Sequence, residues 1–427
     1  MGSLSAPVFL ENKERFSFFA FLLICFFVNI AYEYYHFLEL KAQKTPIVNA
    51  SVLLQYTKTK ESQSYFVLKL QSDFGVFYTT SKEDLIPLQN RKIKLNIIFD
   101  KVNFWEYLKG FYAPSFNLVL LRERDFRESL RQFIAKQHTM PIMGEYYFTL
   151  FLSDSLPLEW RKLAQSYGIS HLFAISGYHT GILSAASFFL LALLYVPLQR
   201  NYFPYRNRYF DLGFLVLLGL VGYYFLLTQS PSYLRALVMS GVAFFLLVRG
   251  LDILRLESFF WCVGILLAFF PCLIFSVGFY FSCLGVLYIF LFLKYFKIPA
   301  KRLFKVFYAL ALNVFVFFAM GIVVYYFFPY FSPFSLYSLI LTPLFGLYYP
   351  LVVFAHLIGF GGFLDSLLLA WLNIPYATIT LQPNLFLFLF CNILTLFALF
   401  FRWAFILLFG CNLIYYGYGI YLYSVSL

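Results

Sequence analysis

GISHLFAISGYHTGILSAASFFLLALLYVPL, residues Gly168 to Leu198, opens small and polar and closes as an apolar run. Its first half carries His171, Ser176, Gly177, His179, Thr180 and Gly181, and its second half is long enough to enter a bilayer, whose core takes about 20 apolar helical residues. Two imidazoles and a Ser-Gly break are costly at that depth. Broken helix with polar side chains is tolerated there only where protein or a water-filled cavity surrounds it, so the stretch predicts the lining of a path and not a lipid-facing anchor.

The rest of the 427 residues agree with a membrane solvent: 62% are hydrophobic and 12% charged, with a mean hydropathy of +0.76. No soluble core could bury that surface. Phe (59) and Tyr (35) are so abundant that a single aromatic carries little information. The net charge of +12, from 32 Lys and Arg against 20 Asp and Glu, fits cytoplasmic loops of a membrane protein, and also a polyanionic substrate. The six cysteines lie within or at the edge of apolar runs without metal-ligand spacing and read as small buried hydrophobes.

Taken in order, residues 1–35 predict a cytoplasmic amino terminus and a retained first transmembrane helix, because the apolar run Phe16 to Ala31 ends in the aromatic belt YEYYHF and not in a small-residue cleavage site. From 41 to 120, the segments IVNASVLLQY, SYFVLKLQ, GVFYTT, KIKLNIIFD and FNLVLLRE are short and partly alternating, which predicts a small β domain of the five-stranded oligonucleotide-binding (OB) type. Between Lys41 and Lys136 sixteen basic residues face nine acidic ones. Lys58, Lys60, Lys69, Arg91, Lys92 and Lys94 are the candidate surface for a phosphate backbone, and a solvated basic face accounts for them equally well. Residues 122–140 predict an amphipathic interfacial helix with Phe126, Leu130, Phe133 and Ile134 on one face.

Beyond Gly144 ten further spans are expected, near 169–198, 210–228, 232–249, 257–270, 272–293, 306–328, 334–360, 366–381, 383–401 and 403–423. This makes a polytopic α-helical membrane protein of about 10–11 spans, with a core at 145–360 and carboxyl-terminal helices at 361–427. Pro271 and Pro333 mark turns, whereas Pro343 and Pro350 would interrupt a span. The basic loops at Arg200, Arg206 and Arg208, at Arg249 and Arg255, and at Lys294 through Lys305 alternate with the uncharged QSP and PYFS. That alternation puts the amino terminus inside and the β domain outside. The one-residue connection at Arg402 leaves little room for a full hairpin, so the side of the carboxyl terminus stays open.

Three polar groups stand in apolar surroundings: Asp154 in FLSDSLPL with the His171 to His179 stretch, Arg235 in SPSYLRALVM, and Ser276, Gly278, Ser282 and Gly285 in SVGFYFSCLG. An Arg one turn into a span needs a counter-charge, carbonyls or water, with Asp154 a possible partner, or else it snorkels to the interface. His171 and His179 have no acidic or thiol neighbour in sequence, so hydrogen-bonded histidines lining a cavity are expected and a metal site is not. AISGYH is not a nucleophile elbow. The chain has neither an H-x-H-x-D-H run nor a Walker loop. No catalytic residue, metal or other cofactor is predicted.

GISHLFAISGYHTGIL closely resembles the G-x-x-HLLAISGLHVGLL stretch of the ComEC competence-protein family, inner-membrane channels for transforming DNA. FLSDSLPL resembles the family's L-G-D-x-S, SPSYLRALVM its S-P-S-x-x-R-A-x-x-M, PCLIFSVGFYFSCLGVLYI its P-x-x-L-x-x-x-G-F-Q-L-S-F-x-A-V, and SLYSLILTPLFGLYYPLVV its helix with the late prolines. The departures are Ser153 for the Gly of G-D, Tyr178 and Thr180 around His179, and Tyr280 for the Gln of F-Q-L-S, which puts any contact of that Gln with a passing strand in doubt. The resemblance implies a cell inner-membrane, multi-pass channel that imports single-stranded DNA during natural transformation. Asp154, His171, Ser176, Gly177, His179, Arg235, Tyr280 and Ser282 are its candidate path, with Tyr178 and Phe279 as further stacking faces. It also implies a cytoplasmic helicase-like translocase and a periplasmic DNA receptor as partners. The metallo-β-lactamase-like domain of longer members is expected to be absent from this chain. The alternatives are a polytopic membrane enzyme and a small-anion transporter using His171, His179 and Arg235.

Overall fold

The computed structural model describes residues 12–60, 63–81, 88–121, 127–227, 231–250 and 255–426. They fall into two units, one of residues 9–136 with 263–277 and one of residues 137–262 with 278–427.

The first unit begins with α1 (Asn12–Ala42), 31 residues long and continuing past residue 35. Four strands follow, β1 (Ile47–Lys60), β2 (Gln63–Ser72), β3 (Gly75–Ser81) and β4 (Lys92–Ile97); then come α2 (Phe104–Lys109), β5 (Phe111–Tyr112), β6 (Ser115–Leu120) and α3 (Glu128–Ala135). The long β1 pairs antiparallel with β2 and with β4, and its register shifts between Val52 and Leu54. β5 pairs parallel with β3 while β6 pairs antiparallel with β4, so the segment 111–120 bonds to both ends of the meander and returns the sheet on itself. Alternation sorts the faces as the period of two requires. Val48, Ala50, Val52, Leu68, Leu70, Phe77, Ile93, Leu95 and Ile97 point into one apolar core.

Phe37 of α1 belongs to that core, its ring 5.7 Å from those of Phe99 and Tyr107. Full burial of such a side chain stabilises by roughly 1.5–3 kcal/mol. Tyr107 also donates a hydrogen bond to Glu33 at 3.1 Å, and burial with the neighbouring carboxylate holds its phenol well above its ordinary pKa. The first helix is thus built into the β unit as well as apolar enough to cross a membrane. Residues 263–277 pack in the same unit, with Asn29 donating to the Ala268 carbonyl at 2.9 Å.

α3 covers 128–135 of the expected interfacial helix, and Arg122 to Phe126 lie outside the described residues. Leu130, Phe133 and Ile134 share one side of it, as the spacing of three and four requires, with Ile134 buried and Leu130 and Phe133 exposed.

The second unit contains α4 (Pro141–Leu152), α5 (Leu158–Ser166), α6 (Ser170–Phe173), α7 (Gly177–Tyr202), α8 (Arg208–Leu226) and α9 (Pro231–Val248). Further along the chain lie α10 (Leu256–Phe269), α11 (Val277–Tyr295), α12 (Arg302–Ala319), α13 (Gly321–Phe327), β7 (Tyr330–Phe331), α14 (Ser338–Leu357), α15 (Asp365–Leu372), β8 (Ile379–Thr380), α16 (Leu385–Ala398) and α17 (Arg402–Ser426). Among the described residues seven helices are long and apolar enough to cross a membrane: α1, α7, α8, α11, α12, Pro333–Leu357 and α17.

The difference from about 10–11 spans has local causes. α10 and α16 have 14 residues each, about 21 Å of helix against a core of about 30 Å. The expected span at 366–381 does not form, because α15 stops after 8 residues and the chain turns to pair β8 with β7. The stretch at 306–328 breaks between α12 and α13 at Met320, and α12 alone keeps the length of a span. Conversely, Pro343 and Pro350 do not interrupt α14, which runs through both. Proline removes the bond to the carbonyl four residues back. For Pro343 that is Leu339, whose carbonyl accepts instead from Asn313 Nδ2 at 2.8 Å. The turn at residues 399–401 is also sufficient for α16 and α17 to pack on each other.

Candidate functional site

The site is built where the chain leaves helical geometry. α4 ends at Ser153 in the left-handed region (φ 62°), the position the resembled motif fills with Gly, and Asp154 follows with 8% exposure. α5 ends at Gly168, also left-handed (φ 66°), where a Cβ would come within 3.1 Å of Ser335. Glycine meets both demands without strain. The short α6 then carries His171, exposed, with Nδ1 facing the Gly168 carbonyl at 3.1 Å and Nε2 facing Thr342 Oγ1 at 3.2 Å.

After α6 the backbone extends through Ala174 to Ser176, and α7 starts. Ser176 is its N-cap, accepting from Tyr178 N–H at 3.3 Å, and the Ser176 N–H donates to His179 Nδ1 at 3.3 Å. This is a capping box with histidine in place of the usual acid. His179 is fully buried, with the rings of Phe345 and Tyr349 each 4.9 Å away, and its Nε2 has no hydrogen bond of good geometry. The Tyr178 hydroxyl donates to the Thr342 carbonyl at 3.0 Å, so His171 and Tyr178 meet at one residue of α14.

Arg235 stands over this break. Its Nη2 lies 3.1 Å from where a Cβ on Gly177 would be, so the missing side chain makes room for the guanidinium. Nε donates to Ser282 Oγ of α11 at 2.7 Å, and Nη1 donates to the Met239 sulfur at 2.8 Å. Arg235 is 4% exposed. Among the described residues no carboxylate is its partner. A buried charge paired only to a hydroxyl and a weak sulfur acceptor is under-compensated, since guanidinium offers five donors.

The expected residues therefore divide. Gly177, Arg235 and Ser282 touch, with Ser176 and His179 bonded at the same helix start. Asp154, one possible partner read from the sequence, is not bound to Arg235, which bonds to Ser282 and Met239 instead. Tyr280 turns to α16, where its hydroxyl donates to Asn392, so it stands outside the group. On the β unit Lys58, Arg91 and Lys94 are exposed, and Lys69 and Lys92 are half-buried on the outward face. Lys60 ends β1. Lys69 sits across from Tyr78, its Nζ 6.0 Å from the ring, and Tyr78 neighbours Tyr112 on β5. The three make an outward row of one cation and two aromatics.

A second buried group was not legible from local spacing. His138 Nδ1 is 3.0 Å from both oxygens of Asp365, and His138 Nε2 is 3.1 Å from His356 Nε2. His356 Nδ1 reaches the Val352 carbonyl at 2.6 Å. The only available signal was that His356 and Asp365 are lone polar residues within apolar runs, the criterion that marked Arg235.

A chiefly helical chain with, among the described residues, seven helices apolar enough to span, a small six-stranded sheet and a buried cation at a helix break defines the class. Residues 152–422 match the family model described as Competence protein, and the chain belongs to that family. Over 92 residues it is 35% identical to ComE operon protein 3 of Bacillus subtilis (strain 168); the match covers 22% of this chain and only 10% of that relative's length. No solved structure matches the chain.

Proposed function

We propose that this protein takes part in DNA uptake for transformation as a multi-pass channel of the cell inner membrane that passes single-stranded DNA to the cytoplasm. The observation that carries the reading is Arg235: a buried guanidinium with no carboxylate partner among the described residues, packed against the Ser176-Gly177 break inside the matched region. A protein keeps such a charge in apolar surroundings where an exogenous anion completes it, and a strand of phosphates supplies that anion repeatedly. His171, Thr342 and Tyr178 offer hydrogen-bonding and stacking groups to the same passage, with stacking worth roughly 1–3 kcal/mol per base.

The β unit is the collecting surface in this reading. Its strand order, with β1 shared by β2 and β4 and the last segment joining β3 to β4, supports an OB-like barrel. The Lys69, Tyr78 and Tyr112 row supplies the mixed cationic and aromatic face that single strands need, with Lys58 on β1 and Arg91, Lys92 and Lys94 at β4 as further cations of the same sheet. The positive-inside pattern places this unit on the periplasmic side, where a DNA receptor would deliver to it, and a cytoplasmic helicase-like translocase would draw the strand through.

The test is transformation with labelled DNA in cells carrying Arg235→Ala. Loss of one charge-assisted phosphate contact, about 1.5–3 kcal/mol, lowers uptake into the cytoplasm roughly 10–100-fold while DNA still accumulates outside the inner membrane. Normal cytoplasmic uptake in this variant, with the protein present at wild-type level, would refute the channel reading. An altered lipid composition or a lost small-anion flux with normal uptake would point to the enzyme or the transporter.

A further inference from the structure

Three aromatic side chains near the helix break are candidates for contact with bases, and the structure separates them. Phe279 is 6% exposed, and Tyr280 is tied through its hydroxyl to Asn392 of α16. Tyr178, at the start of α7, is 40% exposed. Its exposed neighbours along the chain are His171, Ala174 and Gly181, all polar or small. Further along the same helix the exposed side chains are Phe189, Leu190, Leu193 and Leu194, the kind that a lipid-facing position presents. Tyr178 therefore belongs to the polar end of α7 and not to its apolar wall.

α14 fixes the ring. The Tyr178 hydroxyl donates to the Thr342 carbonyl at 3.0 Å, and the Phe345 ring lies 6.2 Å away, tilted by 34°. Thr342 and Gly346 are one turn apart on the same side of α14. A Cβ on Gly346 would stand 2.9 Å from Tyr178 Oη and 3.9 Å from Cζ, so the missing side chain admits the hydroxyl, and the rest of the ring has ordinary clearance. Phe345 is itself buried and stacks on Tyr349 at 5.4 Å, which gives the ring a firm support. An aromatic side chain held in this way has little freedom left to lose when a ligand meets it. The resembled stretch carries Leu at this position, so ring and hydroxyl are a departure of this chain from it.

We propose that Tyr178 is the residue that stacks on bases of the passing strand, and that Gly346 is its positioning residue, setting the ring by leaving room for its hydroxyl. The inference rests on the DNA-uptake reading and adds the part of the nucleotide that each group meets. Arg235 lies against Gly177, the residue before Tyr178, so a cation for phosphate and a face for the base stand at consecutive positions. Every base has a π face, so this contact selects single-stranded nucleic acid without selecting its sequence.

The test is photocrosslinking in transforming cells supplied with DNA that carries 5-iodouracil in place of thymine, a base that couples under light to an aromatic ring stacked on it. In the full-length wild-type chain the crosslink should map to the peptide containing Tyr178. Gly346→Ala pushes the hydroxyl from its place and should lower that yield roughly 5–100-fold, the loss of one base stack. Adding Tyr178→Phe removes the atom that the new methyl group meets, and the double variant should recover the yield. A glycine needed only for packing would not be rescued in this way. No crosslink at residue 178 in wild type, an unchanged yield in Gly346→Ala, or a double variant no better than the single one overturns the inference. The wild-type result needs no substitution and so holds even where a variant misfolds. The two readings fail separately: lost cytoplasmic uptake in Arg235→Ala without a wild-type crosslink at residue 178 removes Tyr178 and leaves the channel, whereas normal uptake in Arg235→Ala and no crosslink removes both.

Discussion

Two regions of the helical unit bury ionisable side chains and solve the same problem in opposite ways. Around Asp365 the carboxylate is met within the protein by His138 Nδ1, whose other ring nitrogen lies against His356. Around Arg235 the guanidinium is left to a hydroxyl and a thioether. The difference teaches where to look for function. A carboxylate met from within holds elements together, while a cation short of its counter-charge is a place for something that arrives from outside.

The contrast can be broken by stability measurements. The largest effect is expected from Asp365→Asn, which takes the carboxylate from a contact with His138 whose side chains are 1% and 11% exposed: loss of one partner of a buried pair costs about 3–5 kcal/mol, read as a lowered unfolding midpoint in detergent. A neutral result would mean that the contact does not hold the start of α15 in place. Arg235→Met should do the reverse, since it removes a buried charge and orphans no carboxylate; the unfolding midpoint is expected to stay or to rise, by up to about 4 kcal/mol in favourable cases. A large fall would show that Arg235 is a structural cation and would collapse the comparison. The smallest effect sharpens the frame around the site. Ser153 holds a left-handed conformation at the end of α4, so Ser153→Gly should raise stability by about 1 kcal/mol with DNA uptake by the cells unchanged. A destabilised glycine variant would mean that the Ser153 side chain carries more than its backbone.

Much of the β unit was legible because strand alternation is local: each of the five quoted segments forms a strand, and its inward positions are the apolar ones. The small helix α2 was not anticipated. Helices long and apolar enough to cross a membrane form where the apolar runs are unbroken, at α7, α8, α11 and α17, and the expected pattern fails where composition and geometry part. Residues 366–381 are apolar enough to suggest a span, yet the backbone of Ile379 and Thr380 pairs with β7. Pro343 looked like a break, and Asn313 supplies the lost bond from another helix.

The sequence by itself determined the apolar character of the chain, the separate β segment, the break at Ser176-Gly177 and the ordered motifs that carry the family resemblance, because each is a pattern among residues close along the chain. Only the tertiary structure decided that Arg235 lies on Gly177 without Asp154, and that His138 meets Asp365 across 227 positions. Charge compensation in a low-dielectric interior depends on distances of about 3 Å between side chains, and separation along a chain says nothing about those.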